Sequence, residues 1–241
     1  MPTENENKLI ISGRKPHTAV SKSNTTVRPS AGSGLKFAGI DWRVLTVENN
    51  RALIISKKVL ENRPYHVKSE DITWEGCTLR EYLNGAFFNI LAEKAKAAIA
   101  ETSIASSNNP WYYTLSNMTT DRIFLLSLEE VARYFGDSGA LKQKKGHKIS
   151  YFCVKNNKYI QIDKPDVSEW CSFGDQYNSA RIAYNKAGRA QRWWLRTPGD
   201  RSFHATYVFN NGYVDVGGVD VSAEHVGAQC YGVRPALWLE L

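Results

Sequence analysis

The sequence predicts an α+β domain. Three observations carry that reading: β-type runs open the ordered chain, helix-start signals cluster in its middle, and everything from Arg192 onward is β-type again. Strands and helices segregated in this way, with no alternation of the βαβ kind, favour antiparallel sheets with helices set to one side.

The first β-type pair is KFAGIDWRVLTV and RALIIS, joined at Asn49-Asn50, which reads as a hairpin turn. Thr78 with Glu81 forms the pattern of a capping box at the head of TLREYLNG, a helix expected to stop near Gly85. LAEKAKAAIAE at 91–101 places Leu91, Ala95, Ala98 and Ile99 at helical spacing. RIFLLS at 122–127 reads as a short apolar strand. Ser127 with Glu130 then caps SLEEVARYF, with Gly136 as the stop. A long irregular stretch over 137–190 holds strand-like pieces such as YFCVKNNKYIQI. WWLRT follows as a strand, ATYVFNNGYVDV as a hairpin turning at Asn211-Gly212, and GVRPALWLEL as a closing strand.

Residues 1–34 are rich in Ser, Thr, Asn, Pro and Gly and read as a flexible basic arm ahead of a domain over 35–241. Residues 1–36 carry six Lys/Arg against Glu4 and Glu6, so this end supplies +4 of the net +7. The balance left to the folded part is too small to argue for a nucleic-acid partner. LKQKKGHK at 141–148 reads as a solvated loop. No apolar run is long enough for a membrane helix, so no membrane insertion is expected. The N-terminus has no secretory pattern, which fits cytoplasmic synthesis, whether of a virion-associated or cell-surface protein or equally of a cytoplasmic one. Cys77, Cys153, Cys171 and Cys230 lack metal-site spacing and are expected as reduced thiols, the first three in the core and Cys230 near the surface.

Several segments together resemble one family. KFAGIDWRVL, ENRPYH, ITWEGCTLREYLNGAFF, DRIFLLSLEEVARYF, WWLRTPG and GVRPALWLEL are similar to a bacterial domain of unknown function with a C-type-lectin-like fold, in the branch shared with the formylglycine-generating enzyme. The resemblance runs from about Leu35 to Leu241 and implies a small twisted antiparallel sheet, two or three helices and long irregular loops. The C-terminal pattern also resembles the variable proteins of diversity-generating retroelements, whose last segment is rewritten by reverse transcription and displayed as a ligand-binding surface.

That resemblance directs attention to 200–230, where large apolar and aromatic side chains sit among Gly, Asn and Asp without helical period. The candidate ligand-binding residues are Arg201, Phe203, His204, Phe209, Tyr213, Asp215, Val216, Val219, Asp220, Ser222, Ala223, Glu224 and His225. Phe203, Phe209 and Tyr213 are the expected anchors, because rigid aromatics give contact area at low entropic cost. Asp215, Asp220 and His225 are expected to set specificity. Retroelement mutagenesis acts on adenines of Asn-type codons, which cannot yield Lys, Glu, Gln, Met or Trp; every candidate except Glu224 obeys this, and Lys is absent from 187–241.

Strand alternation puts Tyr207, Phe209, Tyr213 and Asp215 on one face of the hairpin and Val208, Val214 and Val216 on the other. Display requires the first face outward and the valines inward, which makes Val216 the weakest candidate. The alternative is a glycine-rich meander whose aromatics fill a small core.

No catalytic set is legible. The cysteine pair on which the formylglycine-generating relatives rely is absent, since Cys230 stands alone near the C-terminus, and the five His are scattered. No P-loop, G-x-S-x-G or H-E-x-x-H occurs. His204 and His225 with Asp215 or Asp220 lack ligand spacing, and the sugar-binding tripeptides of calcium-dependent lectins are missing, so neither a metal nor another cofactor is expected. The expectation is a non-catalytic binding protein whose partner is a protein or glycan on another cell or surface. The alternative is a fixed structural or cell-envelope module of the same fold. An oxidative enzyme comes third.

Overall fold

A computed structural model of the chain describes residues 28–105, 108–112, 114, 117–143, 151–155, 158–162, 172–222 and 231–241, the strands within 151–162 by backbone alone. The architecture is mixed α+β, strand-rich, with short helices and mostly antiparallel pairing.

The first sheet is a meander closed by the C-terminus. β1 (Gly34–Phe37), β2 (Ile40–Glu48) and β3 (Arg51–Ser56) pair in sequence, and the last strand of the chain, Ala236–Glu240, lies against β3. Asn49 and Asn50 hold φ of 48° and 61°, the two left-handed positions of a tight hairpin, as the Asn pair predicts. The expected first run KFAGIDWRVLTV is two strands, because Ala38 and Gly39 also take positive φ and turn the chain. Gly32 N–H donates to Val44 O, so backbone pairing begins three residues ahead of the expected domain start at Leu35.

A short strand β4 (Glu61–Asn62) precedes a compact helical region. Helix α1 (Thr78–Tyr82) runs on into a π-type turn over Leu83–Phe87. Its cap differs from the expected one. Cys77 is the N-cap, its Sγ accepting from Arg80 N–H at 3.4 Å, and Thr78 is already helical. Helix α2 (Glu93–Ala98) is shorter than the spacing of 91–101 predicts and buries none of its residues. Strands β5 (Thr102–Ala105) and β6 (Met118–Asp121) form a two-stranded ribbon.

The apolar run 122–127 is not a strand. Its backbone is satisfied largely by side chains: Asn84 Oδ1 accepts from the N–H groups of Arg122 and Ile123, and Arg196 donates to Leu125 O. Phe124 forms an isolated bridge to Ala236, and Leu126 O accepts the backbone N–H of Arg196 at 2.9 Å. Helix α3 (Leu128–Phe135) then starts at the expected capping box, with Ser127 Oγ accepting from Glu130 N–H at 3.2 Å and Glu130 Oε2 from Ser127 N–H at 2.8 Å. It buries Leu128, Val131 and Phe135 and ends at Gly136, φ 98°.

Past α4 (Ala140–Gln143), β7 (Tyr151–Lys155) and β8 (Lys158–Ile162) form a separate hairpin. The second, larger sheet gathers β9 (Ser172–Phe173), β10 (Ala183–Tyr184), β11 (Ala190–Pro198), β12 (His204–Val208), β13 (Val214–Asp220) and β14 (Tyr231–Val233), with the one-turn helix α5 (Asn178–Arg181) between its first two strands. Its order is β4-β14-β11-β12-β13-β9, with β10 also on β11 and β14 parallel to β11. The expected single closing strand GVRPALWLEL is thus divided. Pro235, with no N–H to give a ladder, separates β14 in the large sheet from β15 (Ala236–Glu240) in the meander.

One buried cluster spans both sheets and α3. Trp42, Trp74, Trp193 and Trp194 are among its largest fully buried side chains, which places these indoles in the core. Cys77 is buried, and burial pushes its thiol up to about 12; the side chains of Cys153, Cys171 and Cys230 lie outside the described residues. No helix among the described residues is long and apolar enough to cross a membrane.

Candidate functional site

The hairpin that carries most of the candidates is held at the middle of the large sheet. Trp194 pairs with Tyr207 across β11 and β12, and Tyr207 with Asp215 across β12 and β13. The expected division of the two faces holds, but the assignment of one to solvent does not. Tyr207 and Asp215 are buried, with Tyr231 of β14 against Tyr207 and Tyr65 of a distant loop against the neighbouring Trp194. Tyr231 stacks on Trp194 at 4.3 Å and meets Tyr207 edge-on at 4.9 Å, while Tyr65 lies 5.8 Å from Trp194.

Asp215 is therefore an internal group and not a displayed one, which corrects the sequence expectation. Its Oδ1 accepts from Gly218 N–H at 2.7 Å, and Tyr207 hydrogen-bonds the same carboxyl group. Burial raises its pKa to about 7 against the pull of these bonds, with Asp200 adding repulsion. Burial, and after it the charge of Asp215, pushes the Tyr207 phenol far up. Val216 is fully buried on the opposite face, and Ser222 is buried with its Oγ donating to Asp220 at 2.7 Å. Both leave the surface set.

The remaining described candidates fall at two ends of the hairpin. At the turn end, Phe209 is half-buried, 4.8 Å from the Tyr207 ring with the Arg192 guanidinium 5.5 Å from its centroid. Tyr213 is half-buried with its ring packed against Gly174. Gly212, φ 84°, closes the turn so near Asn178 that a side chain would collide with that residue's carbonyl group. These two aromatics are partly framework.

The open end brings Arg201, Phe203, His204 and Asp220 together, while Val219, partly buried, packs against the core. His204 lies opposite Asp220 and Ala205 opposite Val219 in the strand register. The Phe203 ring meets the His204 ring at 4.7 Å, with the Arg201 guanidinium 5.9 Å from it. His204 Nδ1 is 2.6 Å from Asp200 Oδ1. Partial burial works against the charge of Asp220, yet hydrogen bonds from Ser69 and Ser222, with His204 nearby, hold its carboxyl below the usual range. Ala223, Glu224 and His225 lie outside the described residues.

Sequence reasoning missed the second half of this end, the loop over 66–72. His66 N–H donates to Val221 O and Ile72 N–H to Ser202 O, both at 3.0 Å. Ser69 Oγ donates to Asp220, and Ser202 Oγ to Asp71 Oδ1 at 2.5 Å. Val67 stands 58% exposed beside them. The only signal was a polar, aperiodic HVKSED after the aromatic Tyr65, too common a pattern to single out. His66 itself is structural: its Nδ1 accepts from Thr78 N–H at 3.2 Å, which leaves the proton on Nε2, 2.9 Å from Glu70.

The corner before the site depends on close backbone approach. Gly199 N–H donates to His204 O and Asp200 N–H to Gly217 O, both at 2.7 Å, and a Cβ on Gly199 would overlap the Gly217 oxygen. This gives the Pro-Gly of WWLRTPG a physical role.

The family model described as a domain of unknown function (DUF6273) matches residues 49–241. The chain belongs to that family. No curated protein and no solved structure matches it.

The DUF6273 match begins at the β2–β3 turn, so β1 and β2 precede it although β2 pairs directly with β3 inside it. Every described candidate and the whole 66–72 loop fall within it. Among its described residues no three acids, histidines or cysteines are grouped to hold a metal ion: Asp215 binds Gly218 and Tyr207, Asp220 binds Ser69 and Ser222, and His204 binds Asp200.

Proposed function

We propose that this chain is a non-catalytic ligand-binding protein with a C-type-lectin-like fold that presents the open end of the β12–β13 hairpin to a protein or glycan on another cell or surface. The carrying observation is the gathering of Arg201, Phe203, His204 and Asp220 on a frame whose backbone is fixed by hydrogen bonds from 66–72 and 199–200. A rigid support with a mixed aromatic, cationic and anionic face suits recognition, because little ordering entropy remains to be lost on binding. Small antiparallel sheets, short helices and long connections fit the fold that the resemblance implies. The same resemblance supports reading the chain as a target protein of a diversity-generating retroelement, with variation at the exposed positions and constancy beneath them.

A fixed cell-envelope module of the same fold is the second reading. It is favoured by the side-chain interlock of Asp220 with Ser69 and Ser202 with Asp71, which employs part of the face in holding the loop.

Flow cytometry of the labelled chain on a panel of intact bacterial strains tests the proposal. Binding to some strain, lost when Arg201, Phe203 and His204 are all changed to Ala while the melting temperature holds, is the expected result. Labelling of a strain that survives the triple change would overturn it.

A further inference from the structure

A cleft opens on a different part of the molecule from the hairpin end. It has a volume of about 800 Å³, within the 300–1,000 Å³ range of small-ligand sites. Its floor is the face of the meander that carries Trp238, its second wall is α3 with Arg133 and Tyr134, and its third is β5. We infer that this cleft binds a short neutral oligosaccharide, with Trp238 as its stacking platform.

Trp238 carries the inference. Trp42, Trp74, Trp111, Trp193 and Trp194 each donate their indole N–H to a protein oxygen inside the fold, at 2.8–3.1 Å. Among the described residues the Trp238 N–H has no such partner, and its ring is half-buried at the cleft. An indole so placed offers a flat apolar face and one directed donor, the pair of features that a sugar ring's C–H face and hydroxyl oxygens answer.

The charges around it select against ionic ligands. Arg51 pairs with Glu240 at 2.9 Å, and the buried Arg196 forks onto Glu130 at 2.5 and 3.0 Å. Arg133 hydrogen-bonds Tyr134, and Glu48 accepts from Thr46. Neither sign is left in large surplus, while the rim of Glu129, Arg133 and Asn49 is exposed. Planar carboxylate, guanidinium and amide groups of this kind bind neighbouring hydroxyls two at a time. A peptide strand adding to β5 is disfavoured. The edge is four residues long, and its Ala105 carbonyl already accepts from Arg196 Nη2 at 3.0 Å.

The experiment is saturation-transfer NMR and tryptophan fluorescence on the full chain with neutral trisaccharides of glucose, mannose, galactose and N-acetylglucosamine at millimolar concentration. A sulfated disaccharide and acidic and basic tetrapeptides are the comparators. At least one neutral trisaccharide is expected to bind saturably. Trp238→Phe, which keeps the packing and removes the donor, and Arg133→Ala should each weaken it about tenfold. Phe203→Ala should leave it unchanged, so failure here is separate from failure at the hairpin end. The inference is overturned if no neutral trisaccharide binds, if only charged probes or peptides bind, or if Trp238→Phe and Arg133→Ala bind as the parent does.

Discussion

Asp215 and Tyr207 face each other across β12 and β13 and are hydrogen-bonded beside the Trp194–Tyr231 stack, so a buried carboxyl lies within the hairpin that carries the displayed side chains.

This pairing makes stability depend on pH. The folded-state pKa of Asp215 is raised to about 7, chiefly by burial, above an unfolded value near 3.8. Between these values the folded protein holds the proton more tightly, so stability falls as pH rises through the window and levels off above about 7. Asp175 acts in the opposite sense. Although partial burial opposes its charge, its hydrogen bond from Arg181 lowers its pKa, so its contribution is lost only in more acidic solution and does not mask the window. Asp215→Asn should therefore raise stability at pH 8 by roughly 1–3 kcal/mol and change little at pH 4. Thermal melts of both proteins at the two pH values check this.

Arg196 ties α3 to the large sheet. It is almost fully buried, forks onto Glu130, and also donates to Leu125 O at 2.6 Å and Ala105 O at 3.0 Å. Arg196→Met leaves the Glu130 charge without its cation and two carbonyl groups unmatched, at an expected cost of about 3–5 kcal/mol in urea unfolding. A loss below about 1 kcal/mol would mean that the fork is dispensable.

Backbone contact at Gly199 predicts a sharp contrast between two Gly→Ala changes. Gly199→Ala forces the Gly217 carbonyl aside and should cost about 1–3 kcal/mol, with amide shifts concentrated in 199–204 and 217–220. Gly85→Ala meets no atom within 4 Å in the turn after α1 and should be neutral or stabilising by up to about 1 kcal/mol. Paired melts and amide spectra decide it.

Phe203 and Phe209 should part company in the same way. Phe209 packs on Tyr207 and Arg192, so Phe209→Ala should cost about 2 kcal/mol of stability. Phe203 touches only His204 and Arg201 among the ring contacts of the described residues, so Phe203→Ala should cost little stability and most of the affinity for whatever cell surface the chain labels. Melting and flow cytometry on the two variants separate the roles.

What could be read from the sequence was what neighbours in the chain determine. The Asn49-Asn50 and Asn211-Gly212 turns and the Ser127–Glu130 capping box follow from a few adjacent residues and stand where expected. Face alternation in the hairpin was legible too, but not which face is covered. Tyr65 lies more than a hundred residues upstream, and no local pattern says that it will roof Trp194. Apolar content misled at 122–127, where Asn84 and Arg196 replace a strand partner. The cleft was invisible for the same reason: its walls come from the β2–β3 turn, β5, α3 and β15, and Trp238 sits in what reads only as a closing strand.

The most direct test of a displayed, diversified surface is sequencing of this gene and several kilobases around it across a natural population. Substitutions concentrated at Arg201, Phe203, His204 and Asp220, with Tyr207, Asp215 and Val216 constant, and a near-copy of the segment beside a reverse transcriptase gene, are the predicted result. Invariance across all seven positions, or variation spread equally over the buried three, would contradict it.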